Sequence, residues 1–339
     1  MEKESIEYLS ASRIKTLETC SWQYYCSYVL KLPQKGNDGS SRGTICHLVL
    51  ELLLSKKHKS HFTSITKKGS IDGSEAVSRL VKKRAQKLKV DSAENLKLID
   101  EMIVVGLKNE FFGAKGAKVL PPEFEFRIEN ERPKYNIRGF IDKPIDYPAD
   151  QRMEITDYKS SKEKFKGEEL KSNTQAMMYS LAAKKSWPDR RPIIKFVFLR
   201  FPKQPTQILE FSDAALSGFE HYLSFINKKI NNFDQKAARS NFAADQPMEK
   251  GGGFKGPIVC GFAKEKGQLK KDGTLMWHCP VKFAFSYYVL KNENGEVVKS
   301  SFEDDLSPGK SETVEKLSYP GCPRFSSSPT KENQDPFDF

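Results

Sequence analysis

Asp142, Asp157 and Lys159 are the residues whose types and spacing point most directly to chemistry in this 339-residue chain. Asp142 ends the alternating segment KYNIRGFID, and Asp157 and Lys159 lie at the end of the next, MEITDYKS. Side chains alternate along a strand, so Asp157 and Lys159 point to one face. A turn through Tyr147-Pro148-Ala149-Asp150 joins the two segments, and a tight hairpin brings Asp142 alongside. Two carboxylates converging beside a lysine form a hard oxygen site suited to Mg²⁺ or Mn²⁺. The lysine can hold or polarise a water for attack on phosphorus, while the metal stabilises charge on the phosphate oxygens. D-x-K alone is a weak signal, because Asp and Lys pairs are common on exposed strand faces.

The elements that must position these residues follow from hydrophobic periodicity. Ser10 or Ser12 caps a first helix carrying Ile14, Leu17, Trp22, Tyr25 and Val29, and a loop KGNDGSS follows. A second helix opens near Arg42 with Ile45, Leu48, Val49 and Leu52 on one face. Residues 56–70 read as an exposed Lys/Ser/Thr-rich stretch, and 73–90 and 92–112 as two more helices. At Pro121-Pro122 the period switches to two: EFEFRIEN, KYNIRGFID and MEITDYKS predict strands. Glu168–Ser186 returns to helix, IIKFVFLRF and TQILEF predict strands, and Asp213–Phe233 an amphipathic helix. Helices packed around a small mixed sheet is the simplest architecture for this order.

Composition bounds the rest. The net charge is +12, from 56 basic against 44 acidic side chains, which favours a polyanionic partner because neutralised phosphates release counterions. No apolar run is long enough to span a membrane, and the polar start MEKESIEYLS does not read as a secretory signal; a cytoplasmic address is expected. There is no Walker-type GxxxxGK[ST] motor motif and no RNP-like or KH-like pattern. The six cysteines (Cys20, Cys26, Cys46, Cys260, Cys279, Cys322) contain no CxxC pair, so free thiols are favoured over disulfides or zinc.

Gly43-Thr44-Ile45-Cys46-His47, Gly139-Phe140-Ile141-Asp142, Asp157-Tyr158-Lys159 and Gln175-x-x-x-Tyr179 stand in order on helix, strand, strand and helix. Together they resemble the GxxxH, GxxD, DYK and QxxxY signature of the RecB-like branch of the PD-(D/E)XK nuclease superfamily. SASRIKTLETCSWQYYCSYVLKLP resembles that family's opening helix, with Ser21 where its usual proline stands. The resemblance covers roughly residues 8–202. It implies that His47, Asp142 and Asp157 ligate a divalent metal with the carbonyl of Tyr158. Lys159 would be the catalytic lysine, and Gln175 and Tyr179 would shape the site. Glu123 or Glu125 could add a carboxylate, although strand-face charge is the preferred role for both. Gly43 and Gly139 would permit close backbone approach.

Some relatives carry a four-cysteine iron–sulfur cluster, with one cysteine in the opening helix and three after QxxxY. Cys20, Cys260, Cys279 and Cys322 could supply it, but the last three are spread far wider than is usual there. A zinc site from Cys260, His278, Cys279 and Cys322 is an equal alternative, and free thiols remain preferred over both.

The expected fold is α/β: a restriction-endonuclease-like core, with a mixed β-sheet flanked by helices, an N-terminal helical segment and a small C-terminal β module. The nuclease domain is expected over 1–235, with its N-terminal helical segment over 1–120. A linker is expected over 236–254, a β-rich module over 255–303 and a disordered tail over 304–339. In that module, Lys residues interleave with Phe283, Phe285, Tyr287 and Tyr288, a pattern read first as half-buried sheet and second as a stacking surface for single strands. The terminal NQDPFDF loosely resembles peptides that dock on a sliding clamp or single-strand-binding protein. The function implied is Mg²⁺-dependent DNA hydrolysis by a single-strand-preferring exonuclease in recombination, repair or replication. Any helicase would be a separate protein, and a phage origin would suit the lysine content. The rivals are an endonuclease of the same superfamily (junction-resolving or CRISPR-adaptation type) and a non-catalytic DNA-binding module.

Overall fold

The computed structural model describes residues 8–34, 36–108, 110–246 and 258–326; the terminal NQDPFDF and most of the Gly-rich stretch of the expected linker lie outside them. The helices are α1 (Ala11–Thr19), α2 (Ser21–Tyr24), α3 (Asp38–Leu54), α4 (Lys59–Lys68), α5 (Glu75–Lys87), α6 (Ala93–Lys108), α7 (Thr174–Ser186), α8 (Asp213–Asn231) and α9 (Gln235–Ala238). The strands are β1 (Lys118–Val119), β2 (Phe124–Glu131), β3 (Lys134–Ile141), β4 (Lys143–Tyr147), β5 (Arg152–Lys159), β6 (Arg191–Phe198), β7 (Thr206–Leu209), β8 (Phe285–Lys291), β9 (Val297–Ser301) and β10 (Thr313–Tyr319).

The chain divides into two compact units, and not at residue 235. Of the described residues, unit one takes 8–11, 36–108 and 110–231, and unit two takes 12–34, 232–246 and 258–326. The opening helices belong with the C-terminal residues because they bond to them. Ser21 Oγ donates to the Ala238 carbonyl at 2.9 Å, and Trp22 Nε1 donates to Tyr319 Oη at 2.8 Å.

Unit one is built on a five-stranded sheet in the order β1-β4-β5-β6-β7, with β5 and β6 parallel and the other pairs antiparallel. A parallel pair needs a crossover, and α7 supplies it between β5 and β6. The inward row of the sheet, with Tyr158, Val197 and Leu199, shares a core with Val49, Leu53, Ile65, Val81 and Ile103 of α3 to α6. β2 and β3 form a separate hairpin. This is the restriction-endonuclease-like core: a mixed sheet flanked by helices.

Three details depart from the sequence reading. Residues 59–68 form helix α4, because Ile65 is fully buried in the core and Phe62 packs against it. The strand ending at Ile141 does not turn back onto β5; Lys143–Tyr147 makes its own strand, β4, which pairs with β5. In unit two, the stretch expected to lack structure from 304 holds β10, which joins the β8–β9 hairpin as a third strand. Among the described residues no helix is long and apolar enough to cross a membrane.

Candidate functional site

α3 begins with a reciprocal cap: Asn37 accepts from Ser40 N at 2.9 Å, and Ser40 Oγ accepts from Asn37 N at 3.1 Å. Such a box satisfies two otherwise orphaned donors and fixes where the helix starts. One face of α3 is then buried through Ile45, Val49 and Leu53, leaving half-exposed His47 aimed at the end of β5. Lys143 pairs with Thr156 across β4–β5, so Asp142 falls opposite Asp157. Asn173 caps α7 by accepting from Ala176 N at 3.0 Å, and Gln175 and Tyr179 share a face one turn apart.

These elements bring the sequence-predicted residues together. Asp142 Oδ2 accepts from Tyr158 N at 2.8 Å and lies 3.3 Å from His47 Nδ1. His47 Nε2 lies 2.9 Å from the Tyr158 carbonyl. Asp157 is 2% exposed. Its Oδ1 accepts from Gln175 Nε2 at 2.8 Å and from Tyr179 Oη at 2.9 Å, while Lys159 Nζ stands 2.8 Å from its Oδ2. Lys159 Nζ also donates to Gln175 Oε1 at 2.6 Å. Tyr179 Oη, 2.9 Å from the Phe140 carbonyl, accepts from Gln175 Nε2 at 2.7 Å.

Glu123 joins the site and Glu125 does not. Donor atoms of His47, Glu123 and Asp142 all lie within 4.8 Å of one another, the one such trio of metal-ligating groups among the described residues. Glu123 has φ +51°, a backbone conformation uncommon outside glycine that clusters at functional sites. Glu125 is instead ion-paired to Arg127 and Arg138 at 2.8 and 2.6 Å. Glu51, one turn beyond His47 on α3, adds a carboxylate whose charge Glu123 feels.

The electrostatics mark the site as one built for a cation. Burial pushes the Glu123 carboxyl upward, and Asp142 and Glu51 push it further. Burial also raises the Asp157 carboxyl, against the opposing charge of Lys159. For His47, burial works against the charged ring, but the hydrogen bond and charge of Asp142, then Asp157 and the Tyr158 carbonyl, outweigh it and raise its pKa to about 9. Both ring nitrogens face oxygen acceptors, an arrangement satisfied by a doubly protonated ring or by a cation in place of a proton. Asp157 Oδ2 is buried and, apart from its ion pair, accepts no directed hydrogen bond. Oxygen-rich donors with one imidazole fit a hard divalent cation.

The glycines of the two motifs allow close packing. A Cβ on Gly139 would stand 2.6 Å from the Phe126 ring, and one on Gly43 would stand 2.7 Å from Ser160 Oγ.

Unit two holds a second cluster. Cys20, Cys260, Cys279 and Cys322, from points up to about 300 residues apart, are all buried and line one cavity. Burial, with the charges of other members of the set, raises the thiols of Cys279 and Cys322 to about 11 and about 12. His278, by contrast, is turned to the Cys279 carbonyl and stacks edgewise on Phe283. Cys26 lies within hydrogen-bonding reach of Tyr319 Oη at 3.6 Å, and Cys46 is buried in unit one on α3.

A helix-borne histidine, paired carboxylates and a lysine thus meet beside the mixed sheet, groups of the kind that can hold a divalent cation. The sequence profile of the PD-(D/E)XK nuclease superfamily matches residues 8–249. The chain belongs to that superfamily and is a hydrolytic nuclease, with a group of residues that could hold a divalent metal. No curated protein sequence matches it. Among solved structures it is similar to an inferred exonuclease from Eubacterium rectale, at 12% identity and a TM-score of 0.41, covering 72% of this chain and 91% of that one.

Proposed function

We propose that the protein is a RecB-like, Mg²⁺- or Mn²⁺-dependent deoxyribonuclease acting as an exonuclease on single strands, in DNA recombination, repair or replication. The observation that carries this reading is the His47–Glu123–Asp142 trio beside the Asp157–Lys159 pair. His47, Asp142, Asp157, the Tyr158 carbonyl and Glu123 would hold the ion. When bound, it supplies Lewis-acid stabilisation of charge on the phosphate and lowers the pKa of water. Lys159 Nζ, held by Asp157 and Gln175, orients an attacking water with its remaining N–H. Tyr179 and Gln175 keep the Asp157 carboxylate from rotating. A DNA partner is further supported by residues 56–89, where eleven Lys or Arg stand against two Asp or Glu.

The test is cleavage of end-labelled single- and double-stranded DNA with Mg²⁺, Mn²⁺ or EDTA, with Asp157→Ala and Lys159→Ala alongside. Metal-dependent shortening from one end, lost in both variants while DNA binding persists, is expected. Internal nicking would make the protein an endonuclease, and binding without cleavage under any metal would make it a DNA-binding module. A helicase, sliding clamp or single-strand-binding protein that delivers the strand would be a separate chain.

For unit two, convergence of Cys20, Cys260, Cys279 and Cys322 on one cavity favours an iron–sulfur cluster over free thiols. Zinc with four thiolates requires all the sulfurs within about 4 Å of one another, and no three of these cysteines meet a 4.8 Å limit. A cluster several atoms across holds its cysteines farther apart than one zinc ion does. Anaerobically purified protein should contain iron and acid-labile sulfide and lose both in Cys322→Ser but not in Cys46→Ser. Stoichiometric zinc, or no metal, would refute the cluster.

A further inference from the structure

The β2–β3 hairpin has one buried face and one exposed face. Phe126, Ile128, Tyr135 and Ile137 are buried, while Glu125, Arg127, Arg138 and Phe140 alternate with them toward solvent. Phe140 is 45% exposed. It lies two residues before Asp142, which sits in the bend between β3 and β4, and its carbonyl lies 2.9 Å from Tyr179 Oη of the candidate site. Register pairs Glu125 with Phe140 and Arg127 with Arg138. The Arg138 guanidinium lies over one face of the Phe140 ring, 5.5 Å from its centre, so a base would stack on the other face. Along the exposed face of the hairpin, away from Asp142, the row reads aromatic ring, then two guanidiniums. Alternate residues on a strand are about 7 Å apart, a spacing on the scale of successive nucleotides in an extended strand.

We propose that this row is the landing track for a single strand of nucleic acid beyond the cleaved phosphate. Phe140 stacks a base, and Arg127 and Arg138 take the next phosphate. A large aromatic left open beside two arginines is the pattern that binds single strands without sequence preference, since every base has a π-face. Duplex bases are already stacked on one another and gain nothing from Phe140. Glu125 holds both guanidiniums through a single oxygen, so it competes with the phosphate and sets the strength of the track.

This inference rests on the nuclease reading, and the test separates the two. Binding of a fluorescent single-stranded oligonucleotide and of a blunt duplex is measured by anisotropy across a salt series, in a Lys159→Ala background that leaves DNA intact. Phe140→Ala should weaken single-strand binding roughly tenfold and duplex binding far less, and Phe140→Trp should restore it. Removing Arg127 or Arg138 should lower the salt slope by about one each. Glu125→Gln should tighten single-strand binding, the opposite of what loss of a merely structural ion pair would do. Unchanged single-strand binding in Phe140→Ala, equal weakening on duplex, or looser binding in Glu125→Gln would overturn the track and leave the nuclease reading intact. No DNA binding by the parent protein would overturn both.

Discussion

Gln175 and Lys159 are joined by a 2.6 Å hydrogen bond, with the lysine donating to the amide oxygen. The amide nitrogen of the same glutamine donates to Asp157 at 2.8 Å and to Tyr179 at 2.7 Å. One planar side chain on α7 thus fixes both the lysine and the carboxylate of the D-x-K motif. Gln175→Ala should lower kcat by about 10- to 100-fold, because misplacement of catalytic groups is costly even when the groups remain. KM should change little. Single-turnover cleavage under saturating metal checks this, and an unchanged kcat would remove the positioning role.

His47 governs how the site responds to pH. With its pKa raised to about 9, the metal-free protein keeps this ring protonated at neutral pH. A metal must displace that proton, so Mn²⁺ affinity should climb from pH 6.5 to about 9 and level off above. The proton-dependent stability of the metal-free protein runs the other way: it is complete below the unfolded histidine value near 6.5 and is lost as pH rises through about 9. His47→Gln should flatten both profiles. Calorimetric Mn²⁺ titration and thermal melts across this range measure them, and a parallel pH dependence in the variant would exclude His47 as the group responsible.

Much of this site was legible in the sequence because alternation and helical spacing are local. Asp157 and Lys159 share a strand face, and Gln175 and Tyr179 share a helix face, whatever the rest of the chain does. Glu123 was legible only as an alternative to Glu125, with strand-face charge preferred for both. It stands just before β2 with positive φ, which turns its side chain off the strand pattern. Glu51 was hidden in a Leu-rich run, where nothing local distinguishes a charge near a metal from a solvated one. The cysteine cavity and the division into units depend on where residues 12–35 pack, and that is set by partners more than 200 residues away.

Gly139 illustrates the same limit at the scale of one atom. It lies opposite Phe126 in the hairpin register, and a Cβ there would stand 2.6 and 2.8 Å from carbons of that buried ring. Gly139→Ala should destabilise unit one by about 1–3 kcal/mol, the usual cost of overpacking, and Phe126→Leu should recover some of it. At Gly43 the nearest atom is the hydroxyl of Ser160, which can rotate away, so Gly43→Ala should cost less. Chemical denaturation of the four proteins tests the ranking, and equal losses at the two glycines would contradict it.

Lys143, next to Asp142, is 1% exposed. Its Nζ donates to the Phe111 carbonyl at 3.1 Å and lies over the rings of Phe111 and Tyr158. Burial drives its pKa down to about 7, with the charge of Lys195 adding to the shift and Glu154 and Glu110 opposing it. Between about 7 and the unfolded value near 10.4 the unfolded chain binds the extra proton, so this residue makes stability rise with pH across that window. Lys143→Met keeps the apolar stem and removes the charge. The variant should therefore gain most over the parent below pH 7 and progressively less toward pH 10. Thermal melts at pH 6, 8 and 10 decide it: a difference that does not shrink with pH would mean that the buried ammonium is fully compensated by its carbonyl and ring partners.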